Sequence, residues 1–315
     1  MDDRKGSVGQ ARGIIAALDD TYDIEEKNIV YTRLARLPNI FKGASLVGLN
    51  KKASDDFNAP FPDLILSISR RTAPIARWIK KKSKGKSKII QLMHPGKCGL
   101  KDFDLLIIPE HDRHKKVGNR AVYITGCPHR TTAKALNEAE ARWAPVFADL
   151  PRPLTTLIIG GAIKDRPFSE ENAKRLAQEV LQFKNDVGGA LLITSSRRTG
   201  AAAEKILKNA LKDIPSYTFW WGENKENPYM GFLACADQII VTGDTVSMCS
   251  EACGTGKPVL IFRGENWLFP KHHRFVDSLL AGNYACALEA ADAKEFQPKQ
   301  RLDAAGFIAE KIKTI

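Results

Sequence analysis

No stretch of this 315-residue chain approaches the ~20 consecutive apolar residues that a membrane-spanning helix needs. The opening residues, MDDRKGSVGQ, lack the apolar core of a secretory leader. The six cysteines (Cys98, Cys127, Cys235, Cys249, Cys253 and Cys286) include no C-x-x-C pair. That scatter argues against a disulfide framework and suits reduced thiols in a cytoplasmic protein. Cys249 and Cys253 stand one helical turn apart, but no His or third Cys sits at zinc-ligand spacing, so no metal is expected. There is no Walker loop and no G-x-G-x-x-G, which removes the kinase and dehydrogenase readings. No Ser-His-Asp set has a recognisable spacing, which removes nucleophilic hydrolysis. Acid is scarce as well, with 36 Asp and Glu against 48 Lys and Arg and a net charge of +12.

Much of that excess is local. Nine basic residues and no acid lie between Arg70 and Lys88. Such a run is read as a solvated helix end and loop, or as a face for an anionic membrane surface or an anionic substrate. Nucleic acid is not expected, because no aromatic-rich strand motif accompanies the charge. The expected location is cytoplasmic, with peripheral contact to the inner face of a membrane through Arg70–Lys88.

Short apolar runs alternate with helical patterns, which predicts an α/β fold with parallel sheets covered by helices on both faces. Strands are expected near 29–31, 64–67, 88–92, 105–108, 121–125, 154–159, 190–194 and 217–220. Helices are expected near 8–18, 73–82, 132–143, 170–183 and 201–211. Pro145, Pro151 and Pro153 bracket 146–150, which reads as a linker. The expected division is therefore an N-terminal Rossmann-like domain over 1–150 and a C-terminal one over 151–315. Residues 2–10 look like a strand-to-helix loop without a strand ahead of it, so the expectation is either that the sequence starts directly at this loop or that it lacks the first strand of the N-terminal domain.

The most informative segment is Ile239–Glu251. An apolar run ends at Thr242-Gly243-Asp244-Thr245, a helix begins at once with Val246-Ser247, and Ser250-Glu251 follow one turn later. The unpaired N–H groups and positive dipole end of such a helix suit a phosphate, with Thr242, Asp244, Thr245, Ser247 and Ser250 around it. Glu251 is placed to reach a sugar hydroxyl beyond a diphosphate. The competing reading is that Asp244 or Thr245 simply caps the helix. Gly160-Gly161 closes an earlier strand, so Gly161 and Lys164 are expected beside the same ligand. Ser69-Arg70-Arg71-Thr72 is echoed by Ser196-Arg197-Arg198-Thr199, each at the carboxyl end of a strand, where open α/β sheets bind ligands. Arg197 is taken to the phosphates; Arg70, Arg71 and His94 are taken to an acceptor, with Lys5, Gly6 and Gln10 of the glycine-bearing first loop. Glu110 and His111, also at a strand end, are the general-base candidates.

Taken in order, 3–10, Ser69–Ala73, Gln91-Leu92-Met93, Pro109–Asp112, Gly160-Gly161, Val241–Glu251 and Thr255–Val259 resemble the mitochondrial-fission "elongated mitochondria" family, in its bacterial type. The resemblance covers nearly the whole chain. It implies a fold similar to GT-B glycosyltransferases, with two Rossmann-like domains facing across a cleft. Plant members of that family recruit a dynamin-type GTPase to the outer mitochondrial membrane, which implies an adaptor as one alternative. The second-domain unit is also similar to UDP-N-acetylglucosamine 2-epimerases, whose Asp-Ser-Gly-Gly turn and Glu-Glu-Ala hold diphosphate and ribose. Here Asp244-Thr245-Val246-Ser247 and Ser250-Glu251-Ala252 take those places, and epimerase chemistry is a further alternative. The leading expectation is a metal-independent glycosyltransferase that takes a nucleotide-activated sugar as substrate and needs no cofactor.

Overall fold

A computed structural model describes residues 4–113, 117 and 120–315. In chain order the helices are α1 (Lys5–Ile15), α2 (Asn39–Lys42), α3 (Ala73–Lys82), α4 (Ala133–Trp143), α5 (Glu170–Val187), α6 (Ala201–Ala210), α7 (Tyr229–Cys235), α8 (Val246–Cys253), α9 (Pro270–Ala281) and α10 (Ala304–Ile312). The strands are β1 (Leu64–Ile68), β2 (Lys88–Leu92), β3 (Leu105–Pro109), β4 (Ala121–Ile124), β5 (Leu154–Ile158), β6 (Ala190–Thr194), β7 (Ser216–Phe219), β8 (Gln238–Thr242), β9 (Val259–Phe262) and β10 (Cys286–Ala287). The chain divides into two compact units, one of 1–130 with 303–315 and one of 131–302.

The first unit holds a parallel sheet in the order β1-β2-β3-β4. Alternation along the strands sends Ile90, Leu92, Ile107 and Ile124 to one face, where Ala11 and Ile14 of α1 meet Ala304, Ile308 and Ile312 of α10. Ile89, Leu106 and Ile108 point the other way, onto Ala73 and Ala76 of α3 and Phe103. Covering both faces is what makes these strands read as nearly continuous apolar runs. Each Ile or Leu so enclosed contributes about 1.5–3 kcal/mol relative to exposure.

The second unit holds a parallel sheet in the order β10-β9-β8-β5-β6-β7. The chain starts in the middle at β5, builds outward through β6 and β7, then crosses back to β8 and builds outward the other way. That is the doubly wound order, and its topological switch point lies between β5 and β8. Helix starts follow local chemistry: Ser169 caps α5 by accepting from the Asn172 N–H at 3.2 Å, with Glu170 and Glu171 in the first turn. Thr132 caps α4 in the same way through the Ala135 N–H at 3.1 Å.

Several sequence expectations are corrected. Residues 29–31 form no strand; Tyr31 makes only a single antiparallel bridge to Leu49. The supposed linker, 146–150, starts inside a 3₁₀ turn, Ala144–Phe147, whose Phe147 is buried against Trp143 and Phe232. Apolar content, not proline count, decides that segment. The division falls after Arg130, earlier than expected at 150, and α10 belongs to the first unit because its apolar face completes the cover beside α1. Gly6 and Gly9 lie inside α1, not in a turn, and residues 1–3 lie outside the described residues.

Candidate functional site

At the switch point, the carboxyl ends of β5, β6 and β8 are laced together by side chains. The Thr242 hydroxyl accepts from the Gly160 N–H and donates to Asp244 Oδ1, both at 2.7 Å. Asp244 Oδ2 accepts from the Gly161 N–H at 3.0 Å and pairs with Arg198 Nη2 at 2.9 Å. Arg198 also donates to the Ala162 carbonyl at 2.7 Å and to Thr245 Oγ1 at 3.3 Å. Ser196 Oγ and Thr199 Oγ1 both donate to the Gly160 carbonyl. Burial pushes the Asp244 carboxyl up, while Arg198, the Thr242 hydroxyl and the Gly161 N–H oppose that shift.

This arrangement turns three of the expected ligand contacts, Thr242, Asp244 and Gly161, inward. Thr242 and Asp244 are buried and serve as internal fasteners. Gly161 donates its N–H to Asp244, and a Cβ there would strike the Arg198–Thr199 backbone, so its glycine is required by close packing. A Cβ at Gly160 would likewise strike the Asp244 carboxylate. Arg197, chosen from sequence, is exposed, while its neighbour Arg198 turns inward to the acid. The same division holds in the first unit, where Arg70 is exposed and Arg71 lies 4.5 Å over the Tyr31 ring. Thr72 donates its hydroxyl to the Ile68 and Ser69 carbonyls at the end of its own strand, β1, whereas Thr199 donates to the Ile159 and Gly160 carbonyls at the end of the neighbouring β5. What the two motifs share is an exposed arginine followed by one turned inward.

Outside the fasteners, Thr245 is the N-cap residue of α8 but makes no side-chain capping bond, and Asp244 makes none either. The capping reading is therefore set aside, and the first-turn N–H groups of α8 lie at the positive end of its dipole. Ser247 is half-buried in that first turn, and Ser250 is fully buried one turn on. Glu251 is half-buried, and its Oε2 accepts from the Tyr229 hydroxyl at 2.6 Å. Tyr229 lies 22 residues away and carried no signal in sequence; α7 brings it there. Lys164 is exposed at φ +54°, with its Nζ 5.2 Å over the Phe269 ring.

In the first unit the parallel sheet brings the ends of β1, β2 and β3 to one edge, so Arg70, Arg71, His94, Glu110 and His111 share it. Beneath them, Gln91 is fully buried and donates from Nε2 to the Ser69 and Leu92 carbonyls at 3.1 and 2.7 Å, while Ser67 Oγ donates to its Oε1 at 2.7 Å. His94 Nδ1 accepts from the Gly96 N–H at 3.1 Å. Glu110 pairs with Arg113 at 3.1 Å, and Arg113 stacks 4.1 Å over Tyr123. His111 is buried, with Nε2 3.8 Å from Asp112. Gln10 is buried in α1, and its Oε1 has no hydrogen-bond partner among the described residues. Gly6 is exposed on α1; the Lys5 side chain lies outside the described residues.

Two α/β units, the second doubly wound with a helix N-terminus at its switch point, define a protein of the GT-B fold. A solved structure of UDP-GlcNAc 2-epimerase from Methanocaldococcus jannaschii is similar at a TM-score of 0.52, with 14% identity over 81% of this chain and 77% of that one. The chain belongs to the family described as Mitochondrial fission ELM1, whose profile matches residues 5–315. It is 30% identical to Mitochondrial fission protein ELM1 of Arabidopsis thaliana over 69% of this chain, a match that spans 55% of the plant protein. It is 29% identical to Uncharacterized protein RP120 of Rickettsia prowazekii, over 99% of this chain and 96% of that one.

Proposed function

We propose that the second unit binds a nucleotide-activated sugar and that the protein is a metal-independent glycosyltransferase. The observation that carries this reading is the α8 start at the switch point, with Thr245 at its N-cap, Ser247 in its first turn and the Glu251 carboxylate one turn further. Phosphate oxygens would accept from the first-turn N–H groups and from the Thr245 and Ser247 hydroxyls, with Arg197 and Lys164 supplying charge. Glu251 would accept from the ribose hydroxyls, held in orientation by Tyr229. In the transfer, an acceptor hydroxyl oxygen bonds to the anomeric carbon as that carbon's bond to the diphosphate breaks. Glu110 or His111 takes the hydroxyl proton, and the nucleoside diphosphate leaves. Arg70, Arg71, His94, Gln10, Gly6 and Lys5 are assigned to the acceptor, and the Arg70–Lys88 run to an anionic membrane surface.

Within that run, Arg77 pairs with Asp102 and Lys80 with Asp104, while Arg70, Lys81, Lys82, Lys84, Lys86 and Lys88 are exposed. Calorimetric titration with UDP, ADP, GDP and their sugars tests the reading. One donor is expected to bind, and Glu251→Ala is expected to weaken it roughly tenfold or more through loss of charge-assisted hydrogen bonds. Failure of every nucleotide to bind, or equal binding by the variant, would sink the proposal.

A second reading, a non-catalytic adaptor that binds a protein partner or membrane, is favoured by one observation: Glu110, a proposed base, is already engaged by Arg113. Complementation by a chain with Glu110, His111 and Glu251 all replaced separates the two, since only an adaptor keeps its function.

A further inference from the structure

α2 has its burial reversed. In Asn39-Ile40-Phe41-Lys42 the polar Asn39 and Lys42 are buried, while Ile40 and Phe41 are 69% and 77% exposed. A helix on a folded unit ordinarily does the opposite. The reversal is held firmly in place. Asn39 Nδ2 donates to the Arg70 carbonyl at 2.8 Å and the Pro95 carbonyl at 2.6 Å, and Lys42 Nζ donates to the Ala35 carbonyl at 3.0 Å. The Thr32 N–H donates to the Gly48 carbonyl at 2.9 Å, closing residues 32–48 into one loop. Gly48, at φ +91°, packs so tightly on Ala35 that a Cβ would strike its backbone. Leu34, Leu37 and Val47 are also exposed on this loop, so five large apolar side chains share it. Single exposed apolar residues are ordinary, but a group of this size on a pinned loop marks an interaction surface.

Charge selects the partner. Residues 27–54 contain six Lys and Arg and no acid, and Arg33, Arg36, Lys51 and Lys52 are exposed around the apolar side chains. Arg70, whose carbonyl anchors Asn39, adds another exposed cation. A two-fold contact between copies of the chain would oppose these charges to themselves. An anionic lipid surface accepts apolar side chains below its headgroups and cations among them. No helix among the described residues is long and apolar enough to cross a membrane, so this insertion is interfacial.

We propose that the loop 32–48 is an anchor that inserts Ile40, Phe41 and Leu34 into the interface of an anionic bilayer, with Arg33 and Arg36 at headgroup level. The proposal rests on the membrane part of the functional reading and not on the sugar-nucleotide part.

Flotation of the full chain with phosphatidylcholine vesicles, with and without phosphatidylglycerol, tests it. Binding is expected only with phosphatidylglycerol and is expected to fall as salt rises. The pair Ile40→Ser and Phe41→Ser is expected to lower partitioning roughly tenfold or more while leaving the melting temperature and nucleotide titration unchanged. Arg33→Glu with Arg36→Glu, which leaves the apolar side chains in place, is expected to lower it as well. Phe41→Trp is expected to add fluorescence that brominated lipid quenches. Failure of the wild type to bind, or undiminished binding by the serine pair, overturns the proposal. So does concentration-dependent self-association that the serine pair abolishes in the absence of lipid binding. Loss only on charge reversal in Lys81–Lys86 would assign the membrane contact to the basic run and also overturn the anchor. A failed nucleotide titration leaves these outcomes untouched.

Discussion

Arg198 and Asp244 form an ion pair of 2.9 Å in which the carboxylate is wholly enclosed and the guanidinium is one-third exposed. The acid at the end of β8 therefore faces into the sheet edge and ties three strand ends together. Its second oxygen takes the Thr242 hydroxyl, so the buried charge is both paired and hydrogen-bonded, the condition under which burial of a carboxylate is tolerated.

Removing one member of that set is expected to be costly. Asp244→Ala leaves the Gly161 N–H and the Thr242 hydroxyl without their acceptor, with an expected loss of about 3–5 kcal/mol in urea unfolding. Gly161→Ala drives a methyl group into the Arg198–Thr199 backbone and is expected to cost at least about 2 kcal/mol. Arg197→Ala, one position away, is expected to change stability by less than about 0.5 kcal/mol. The contrast between Arg197→Ala and Asp244→Ala checks that Arg197 stands outside the internal set.

Lys184 makes stability depend on alkaline pH. Burial lowers its ammonium pKa from 10.5 to about 8, although it donates to Thr155 Oγ1 at 3.1 Å. Between those values the unfolded chain binds more protons than the folded one, so stability is expected to rise as pH goes from about 8 toward 10.5. Lys184→Met removes the buried charge. It is expected to be neutral or stabilising at pH 7 and to flatten the rise by an amount on the order of 1–3 kcal/mol. Urea midpoints of both proteins across that range supply the measurement.

Gln91 is the polar keystone of the first unit's strand ends. Gln91→Leu keeps the volume but takes one partner each from the Ser67 hydroxyl and the Ser69 and Leu92 carbonyls, which keep their bonds to the Thr72 hydroxyl and the Ser69 N–H. The expected destabilisation is about 1–3 kcal/mol, read from the shift in melting temperature. A larger loss at Gln91→Leu than at the exposed Arg70→Ala would agree with this placement.

Much of the fold was legible because it depends on local periodicity. The α3 and β6 bounds agree with the sequence expectation, and the short apolar runs at 64–67, 88–92 and 105–108 are strands. Parallel strands also make a strand-end position readable, which is why Ser69–Thr72 and Ser196–Thr199 were found together. The failures share one cause. Whether 146–150 is a linker, or which of two adjacent arginines turns inward, depends on partners far away in sequence.

The sequence by itself determined the family, the α/β class and the β8–turn–α8 unit, because apolar runs, glycine pairs and helix starts are written locally. Only the tertiary structure decided that Asp244 is a fastener, that Tyr229 orients Glu251, that α10 belongs with the first unit, and that Ile40 and Phe41 point outward. Each of these depends on which group a side chain meets across the fold, and the short-range pattern of residue types does not carry that information.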